Sequence, residues 1–150
     1  ANGSNYYYWQ YWEFMFVFSK GQPKTSNRIA DVRNTNAGKI RGTAPKSEMF
    51  NTRRERAGVI GPEFSVRPNI WRYSPSNNPH NNHPAQFPED LARDHIISWS
   101  NPGEIVLDPM VGAGTTIVSA RKLGRFGIGI DTSEEYCELM RKRLSQVIMS

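Results

Sequence analysis

The chain has 150 residues, of which 37% are hydrophobic and 11% aromatic, and its formal net charge is +5. This length predicts one domain, and the apolar share suffices for a core, which excludes a globally disordered chain. The sequence has no run of about 18 apolar residues and no signal-peptide pattern, so we expect no membrane contact. Its single cysteine, Cys137, excludes an internal disulfide framework and a multi-cysteine zinc site, and favours a cytoplasmic setting.

The excess positive charge lies in one third of the chain. Residues 20–72 contain 12 Lys and Arg but only four Asp and Glu, which gives a local charge of +8. Such a block is typical of a surface that binds a polyanion, most simply nucleic acid, although a solvated basic loop without a partner fits the charge equally well. The candidate phosphate contacts are Lys39, Arg41, Lys46, Arg53, Arg54 and Arg56.

The predicted elements begin with the apolar run WEFMFVF at residues 12–18, which is typical of a buried strand at the centre of a sheet. Residues 20–80 are rich in Asn, Arg, Gly and Pro and predict a loop-rich segment, with one short strand at 69–73. From residue 86 the pattern becomes α/β. It predicts helices at 88–99, 115–123 and 133–147 and strands at 104–108 and 126–130.

The last of these helices has expected features at both ends. Thr132 and Glu135 fit a capping box at its start, where side chains bind unpaired backbone N–H groups. Arg141, Lys142 and Arg143 suit its C-terminal end, because the helix dipole favours cations there.

A glycine-rich turn, DPMVGAGTT, links a predicted strand to the following helix. Gly112 and Gly114 allow a sharp bend and close approach of a ligand. Asp131 follows the next strand, at the position where nucleotide-binding folds place an acidic residue that binds the ribose hydroxyls. A phosphate-binding loop is excluded because no Lys follows the second glycine, and the dinucleotide fingerprint fails because Ile117 occupies its third glycine position. Asp108 would repel a diphosphate and suits a cationic ligand with an amino group, such as S-adenosylmethionine.

Together with the earlier segment HPAQFP, the motifs DPMVGAGTT and GIGID resemble the DNA amino-methyltransferases that modify adenine N6 or cytosine N4. WEFMFVFSKGQPK is similar to the strand that follows the catalytic loop in that family, and RPNIWRY to a short element before the His-Pro segment. The resemblance covers most of the chain, with residues 25–65 least matched, in the permuted order that places catalytic elements before the cofactor motif. Met110, Val111 and Ala113 depart mildly from the family pattern.

The resemblance implies an α/β, Rossmann-like methyltransferase fold, incomplete in this chain, with S-adenosylmethionine as cofactor and double-stranded DNA as partner. Asp108 and the two glycines would hold the methionine part of the cofactor, the two threonines its carboxylate, and Asp131 its ribose. The full set of implied cofactor residues is His83, Pro84, Phe87, Pro88, Asp108, Pro109, Met110, Gly112, Ala113, Gly114, Thr115, Thr116, Asp131 and Thr132.

The family's catalytic motif is a polar residue followed by Pro-Pro and an aromatic residue, which bind the target amino group of a flipped base. No Pro-Pro pair occurs in this sequence. We therefore expect the C-terminal part of a methyltransferase, either as a fragment or as the product of a naturally truncated gene. Its expected parts are a strand region at 1–19, a basic DNA-contacting insertion at 20–80 and a cofactor-binding part at 81–150. An incomplete sheet has an open edge, so a second copy or a missing N-terminal half is an expected partner.

The expected function is transfer of a methyl group from S-adenosylmethionine to an exocyclic amino group of DNA, as in restriction–modification systems. A non-catalytic fragment that binds cofactor or DNA is one alternative, and a methyltransferase acting on RNA or a small molecule is another. His80, His83 and His95 lack the ligand spacing of a metal site, so we expect none. Cys137 suits packing inside a helix rather than nucleophilic chemistry.

Overall fold

The computed structural model describes residues 12–40, 59–74 and 87–148 of the chain. These ranges form four strands and three helices. The elements are β1 at Ala30–Arg33, β2 at Phe64–Val66, α1 at Glu89–Trp99, β3 at Ile105–Asp108, α2 at Thr115–Lys122, β4 at Phe126–Gly129 and α3 at Glu134–Ile148. No helix in the described part of the chain is long and apolar enough to cross a membrane.

The strand–helix–strand unit predicted after residue 104 is confirmed. β3 and β4 pair in parallel, with Ile105 opposite Phe126 and Asp108 opposite Gly129, and α2 packs against both strands. Parallel neighbours require a crossover connection, which α2 supplies. The expected α/β, incomplete Rossmann-like fold class is therefore confirmed, with two parallel strands within the described residues.

Glycine and large apolar residues alternate along β4, and the two kinds face opposite sides of the sheet. A Cβ atom on Gly127 would lie 2.7 Å from Ile117 Cγ2, and one on Gly129 would lie 2.9 Å from Val111 Cγ2. Both distances are shorter than van der Waals contact. The missing side chains therefore let α2 and the turn before it pack closely on the sheet.

The opposite side of the β3–β4 pair, which we call the open sheet face, is apolar and exposed. Each of its large side chains is at least 49% exposed within the described structure. Alternation along both strands places these side chains on one side of the sheet. They are Ile105, Leu107, Phe126, Ile128 and Ile130.

The predicted buried central strand at residues 12–18 is wrong. The segment forms no strand, and Phe14, Phe16 and Phe18 are 73%, 72% and 89% exposed. The three rings stack in succession, with centroids 6.0 and 6.3 Å apart. No described strand pairs with the segment as a ladder, and without such a neighbour its apolar pattern cannot be buried in a sheet.

The basic segment contains a short antiparallel ladder, formed by β1 and β2, that the sequence did not predict. Arg33 pairs with Phe64, and the register shifts once along the ladder. Both strands are short and mostly exposed, so they carry little periodic signal. The strand predicted at 69–73 is also wrong, since these residues form none and Trp71 Nε1 donates back to the Pro68 carbonyl at 2.9 Å.

Asn27 joins this ladder region to the C-terminal end of α1. Its backbone N–H donates to Ser98 O at 2.9 Å, and its side-chain amide donates to Ile97 O at 3.1 Å and Ser100 O at 3.2 Å. Carbonyls in the last turn of a helix lack intrahelical partners. A residue distant in sequence therefore supplies the cap of α1.

A buried polar cluster around Asp94 makes a second connection between the ladder and α1. Arg67 Nη1 donates to Asp94 Oδ2 at 2.5 Å, and the Tyr73 hydroxyl donates to the same oxygen at 2.9 Å. Arg93 Nη2 donates to Oδ1 at 2.9 Å, and Arg67 also pairs with Asp31 on β1. Burial raises the pKa of Asp94, but the hydrogen bonds from these donors outweigh it and hold the pKa below its ordinary value.

Replacing Asp94 by Asn is expected to lower the free energy of unfolding at pH 7 by about 2 kcal/mol, because the Arg67 guanidinium loses a buried anionic partner. The carboxylate stabilises the fold above its ordinary pKa of 3.8, and this stabilisation is lost as the pH falls through the lower folded-state pKa. The variant should therefore lose less stability than the wild type between pH 7 and about pH 3. Urea unfolding at both pH values measures the difference.

The matched control for this cluster is Asp90→Asn on the same helix, because the Asp90 side chain is 65% exposed and pairs with Arg93. We expect it to change stability by less than about 0.5 kcal/mol. Equal losses in the two variants would contradict the role of the cluster.

Helix α3 differs from its prediction at both ends. Ser133 rather than Thr132 caps it, since Ser133 Oγ accepts the Tyr136 N–H at 3.4 Å while the Ser133 N–H donates to Asp131 Oδ1 at 2.9 Å. The predicted basic last turn is wrong because the helix continues beyond residues 141–143 and its last turn contains no basic residue. Arg141, Lys142 and Arg143 therefore do not lie at the helix end, and their side chains can contact other groups.

Candidate cofactor site

The two acidic residues singled out in the sequence lie at the same edge of the sheet. Asp108 ends β3, and Asp131 follows β4 by two residues. Backbone pairing continues past the strands, since Ile130 N–H donates to Asp108 O at 2.9 Å and Val111 N–H donates to Ile130 O at 3.0 Å. Ligands of open α/β sheets bind at the carboxyl ends of the strands, which is where this pairing places both carboxylates.

The Asp131 carboxylate holds the glycine-rich turn and the start of α3 together. Its Oδ2 accepts the Gly112 N–H at 2.8 Å, and its Oδ1 accepts the Ser133 N–H at 2.9 Å. Hydrogen bonds to an ionised group are roughly twice as strong as those between neutral groups. Asp131 therefore ties the glycine-rich turn to the start of α3 at the carboxyl edge of the sheet.

The turn itself depends on two glycines with positive φ. Gly112 has φ +50° and Gly114 has φ +82°, a region that other residues rarely adopt. The Gly114 N–H donates to Val111 O at 2.9 Å and closes the turn. A Cβ atom on Gly114 would lie 2.6 Å from Met140 Cγ, so the turn packs directly against α3.

Helix α2 begins immediately after this turn. Thr115 is buried and Thr116 is half-buried, and the N-cap residue is Gly114, which provides no side-chain cap. The first N–H groups of a helix attract anions, and the first turn of α2 contains no acidic residue. This end of the site therefore suits a carboxylate on a ligand.

Asp108 supplies the opposite charge at the other end of the turn. It is half-buried, and its Oδ1 accepts the Met110 N–H at 3.1 Å, which fixes the direction of the side chain. A fixed carboxylate at a ligand-binding edge attracts an ammonium group. Pro109, Met110 and Thr132 are exposed beside it.

The structure brings most of the predicted cofactor residues to this edge and places two elsewhere. Phe87 and Pro88 lie at the start of α1, where Phe87 lines a cavity that reaches Thr116. His83 and Pro84 lie outside the described residues. Those that share the edge are Asp108, Pro109, Met110, Gly112, Ala113, Gly114, Thr115, Thr116, Asp131 and Thr132.

The cavity lined by Phe87 lies between α1 and β3 and has a volume of about 490 Å³. Its wall is mostly apolar, with Leu91, Ile96 and Ile105 among its lining residues. Burial lowers the pKa of His95, so the wall favours the neutral form of this ring. The cavity therefore complements an apolar group, whereas the two carboxylates and the start of α2, which suit charged and hydroxyl groups, lie at the Asp108–Asp131 edge.

Three residues at the site were not predicted as site residues: Ser133, Met140 and Arg143. Met140 contacts Gly114, and Arg143 Nη1 donates to the carbonyl oxygen of Ala113 at 2.5 Å. Met140 and Arg143 are three positions apart and share one face of α3. That spacing was visible in the sequence, but the sequence does not show that this face meets the turn.

Two other predicted features can be placed in the structure. Cys137 is half-buried in α3, with its Sγ 4.0 Å from the Asp131 carbonyl oxygen. Among the residues that the structure describes, no three His, Cys, Asp or Glu side chains form a group that could hold a metal ion. His80 and His83 lie outside those residues.

The glycine-rich turn and its two carboxylates lie in a chain with recognisable relatives. A family model described as DNA methylase, for the N6 and N4 enzymes, matches residues 1–142. The chain belongs to the DNA methylase family. The resemblance drawn from the sequence motifs is thus confirmed, and the strand–turn–helix–strand unit is the part of a DNA methylase that carries the glycine-rich motif.

Relatives of this DNA methylase chain include the orphan methyltransferase M.BamHII of Bacillus amyloliquefaciens. The two sequences are 43% identical over an alignment of 151 positions, which covers 95% of this chain and 57% of M.BamHII. The DNA adenine methyltransferase YhdJ of Escherichia coli (strain K12) is 48% identical over 63 residues, which cover 42% of this chain and 21% of YhdJ. The structure of the M1.HpyAVI–SAM complex is 36% identical, with a TM-score of 0.45, and the match covers 52% of this chain and 42% of that one. The chain therefore spans little more than half the length of M.BamHII.

Proposed function

We propose that this chain is the cofactor-binding part of a DNA amino-methyltransferase, and that the edge formed by Asp108, residues 112–116 and Asp131 binds S-adenosylmethionine. The observation that supports this most strongly is the Asp131 carboxylate, which follows β4 and accepts the Gly112 N–H at 2.8 Å. One side chain thereby links the position expected for a ribose to the turn expected to hold the methionine part.

The residues of this edge fit the chemical groups of the cofactor. Asp131 accepts hydrogen bonds from ribose hydroxyls, the start of α2 binds the carboxylate, and Asp108 attracts the ammonium group. When bound, S-adenosylmethionine supplies an electrophilic methyl group on a sulfonium. These residues hold the donor in one orientation, and alignment of donor and acceptor lowers the barrier of such a displacement.

We also propose that the basic segment at 20–80 contacts the phosphates of double-stranded DNA. Arg28, Arg33 and Lys39 are exposed around the ladder, which Asn27 and Arg67 fix to α1. Exposed cations on a fixed frame suit phosphate contacts, which position a duplex without reading its sequence. Of these three, only Lys39 was among the contacts predicted from the sequence. The remaining predicted contacts lie outside the described residues and are Arg41, Lys46, Arg53, Arg54 and Arg56.

We propose further that the rest of the enzyme covers the open sheet face. Parallel sheets in α/β proteins are covered on both faces, and this face exposes five large apolar side chains in the described structure. The chain contains no Pro-Pro pair and spans 57% of M.BamHII. A polypeptide carrying the catalytic motif would supply both the cover and the missing chemistry, whereas a second copy of this chain would supply only the cover.

The cytoplasmic location stays a prediction.

The experiment that tests this function fuses the chain to the part of M.BamHII that it does not match. We expect the fusion to transfer a labelled methyl group from S-adenosylmethionine to adenine N6 or cytosine N4 of duplex DNA. Mass spectrometry of the nucleosides after digestion identifies the modified base. RNA and free nucleosides serve as competing acceptors and should remain unmodified.

Two controls accompany the fusion. The M.BamHII part alone should transfer no methyl group, and the fusion with Asp131→Ala should lose most of its transfer. A folded fusion that binds the cofactor but modifies no DNA would contradict the proposal and identify a non-catalytic binding module. Modification of RNA in preference to DNA would contradict the proposed substrate.

A further inference from the structure

The peptide group between Ala113 and Gly114 is held on both sides. Its N–H, on Gly114, donates to Val111 O at 2.9 Å within the turn. Its carbonyl, on Ala113, accepts from Arg143 Nη1 at 2.5 Å. Ala113 is 4% exposed, so loss of this donor would leave a carbonyl without its partner in a buried place.

We propose that Arg143 is a positioning residue for cofactor binding, which fixes the Ala113–Gly114 peptide and thereby aims the first N–H groups of α2 at the cofactor carboxylate. This inference rests on the proposed cofactor site. The chain connects the two features directly, since Gly114 is the N-cap of α2 and its carbonyl accepts the Val118 N–H at 2.9 Å. A rotation of that peptide would change the direction of the helix start.

The surroundings of Arg143 support a specific role rather than a general surface charge. Its neighbour on the same face, Met140, lies against Gly114 and Gly129 and sets the distance between α3 and the turn. Arg143 is half-buried, and it reaches the turn from a helix whose start is bound to Asp131. The turn is therefore held from one side by Asp131 and from the other by Arg143.

Arg141 provides a matched control on the same helix. Its guanidinium pairs with Glu134 and Glu138 at 3.1 Å, and its side chain is 59% exposed. Replacing Arg141 by Met removes the same charge and the same number of donors as replacing Arg143 by Met, but leaves the turn untouched.

The test is calorimetric titration of the 150-residue chain with S-adenosylmethionine at a temperature where every variant is folded. We expect Arg143→Met to raise the dissociation constant about ten-fold and Arg141→Met to change it by less than about two-fold. Arg143→Lys keeps the charge and N–H donors on a single nitrogen, so its dissociation constant should rise only about three-fold. Thermal unfolding of each variant without cofactor separates loss of stability from loss of binding.

Several results would overturn the inference. If Arg143→Met unfolds at a lower temperature yet binds the cofactor like the wild type, Arg143 is a purely structural residue. Equal weakening in both Met variants would indicate a general effect of charge. If Arg143→Met does not fold, Arg143→Lys decides, and unchanged binding in that variant overturns the inference. Failure of the wild-type chain to bind S-adenosylmethionine would instead refute the proposed cofactor site.

Discussion

Replacing Asp131 by Ala is expected to weaken S-adenosylmethionine binding at least about 100-fold, because hydrogen bonds to an ionised group contribute about 1.5–3 kcal/mol each. The carboxylate also accepts the Gly112 N–H at 2.8 Å, so the variant loses both the proposed ribose contact and a support of the turn. Calorimetric titration of wild type and variant measures the ratio of the two dissociation constants.

Ser133→Ala is the control for the structural part of this effect. Ser133 contributes to the start of α3 beside Asp131, since its Oγ accepts the Tyr136 N–H at 3.4 Å. Removing that cap should cost about 1 kcal/mol of stability and leave cofactor affinity within about two-fold. If the two variants bind S-adenosylmethionine equally well, Asp131 is not a ribose contact.

Gly114→Ala is expected to lower the free energy of unfolding by about 2–4 kcal/mol. The φ of Gly114 is +82°, which an L-residue adopts only at a cost, and the added Cβ would lie 2.6 Å from Met140 Cγ. The turn and α3 would have to move apart, so cofactor binding should weaken as well. Urea unfolding measures the stability, and the same calorimetric titration measures the binding.

Gly103→Ala separates backbone strain from the clash. Its φ is +84°, but among the described residues beyond its two chain neighbours no atom lies within 4 Å of the added Cβ. We therefore expect a loss of only about 1 kcal/mol and no change in cofactor affinity. Equal losses of stability in the two glycine variants would show that contact between the turn and α3 does not contribute.

The strands and helix around the glycine-rich turn can be predicted from the sequence, because their patterns lie within a few neighbouring residues. The strand at 105–108, the helix after Gly114 and the strand at 126–129 each carry a period or a boundary residue that does not depend on distant partners. Asp131 was identified for the same reason, since its distance from Gly112 along the chain is set by one strand–helix–strand unit.

The sequence predictions that were wrong or missing concern contacts between segments that are distant in the chain. The apolar run at 12–18 has the composition of a central strand, but a strand also needs a neighbour, and no described strand pairs with it. The β1–β2 ladder was missed because its strands are short and exposed. Arg67 and Asp94 lie 27 positions apart, and no local pattern indicates that they meet. Arg143 was assigned to a helix end, although the helix continues past it and presents it to the turn.

The location of the cofactor can be tested directly by an amide NMR titration of ¹⁵N-labelled chain with S-adenosylmethionine. If the cofactor binds at the Asp108–Asp131 edge, the largest shifts occur at Gly112, Gly114, Thr116 and Ser133, and Asp131→Ala abolishes them. Saturable shifts confined to the apolar cavity between α1 and β3, around Leu91 and Trp99, would refute the proposed site, because they would place the cofactor where the structure provides few polar partners.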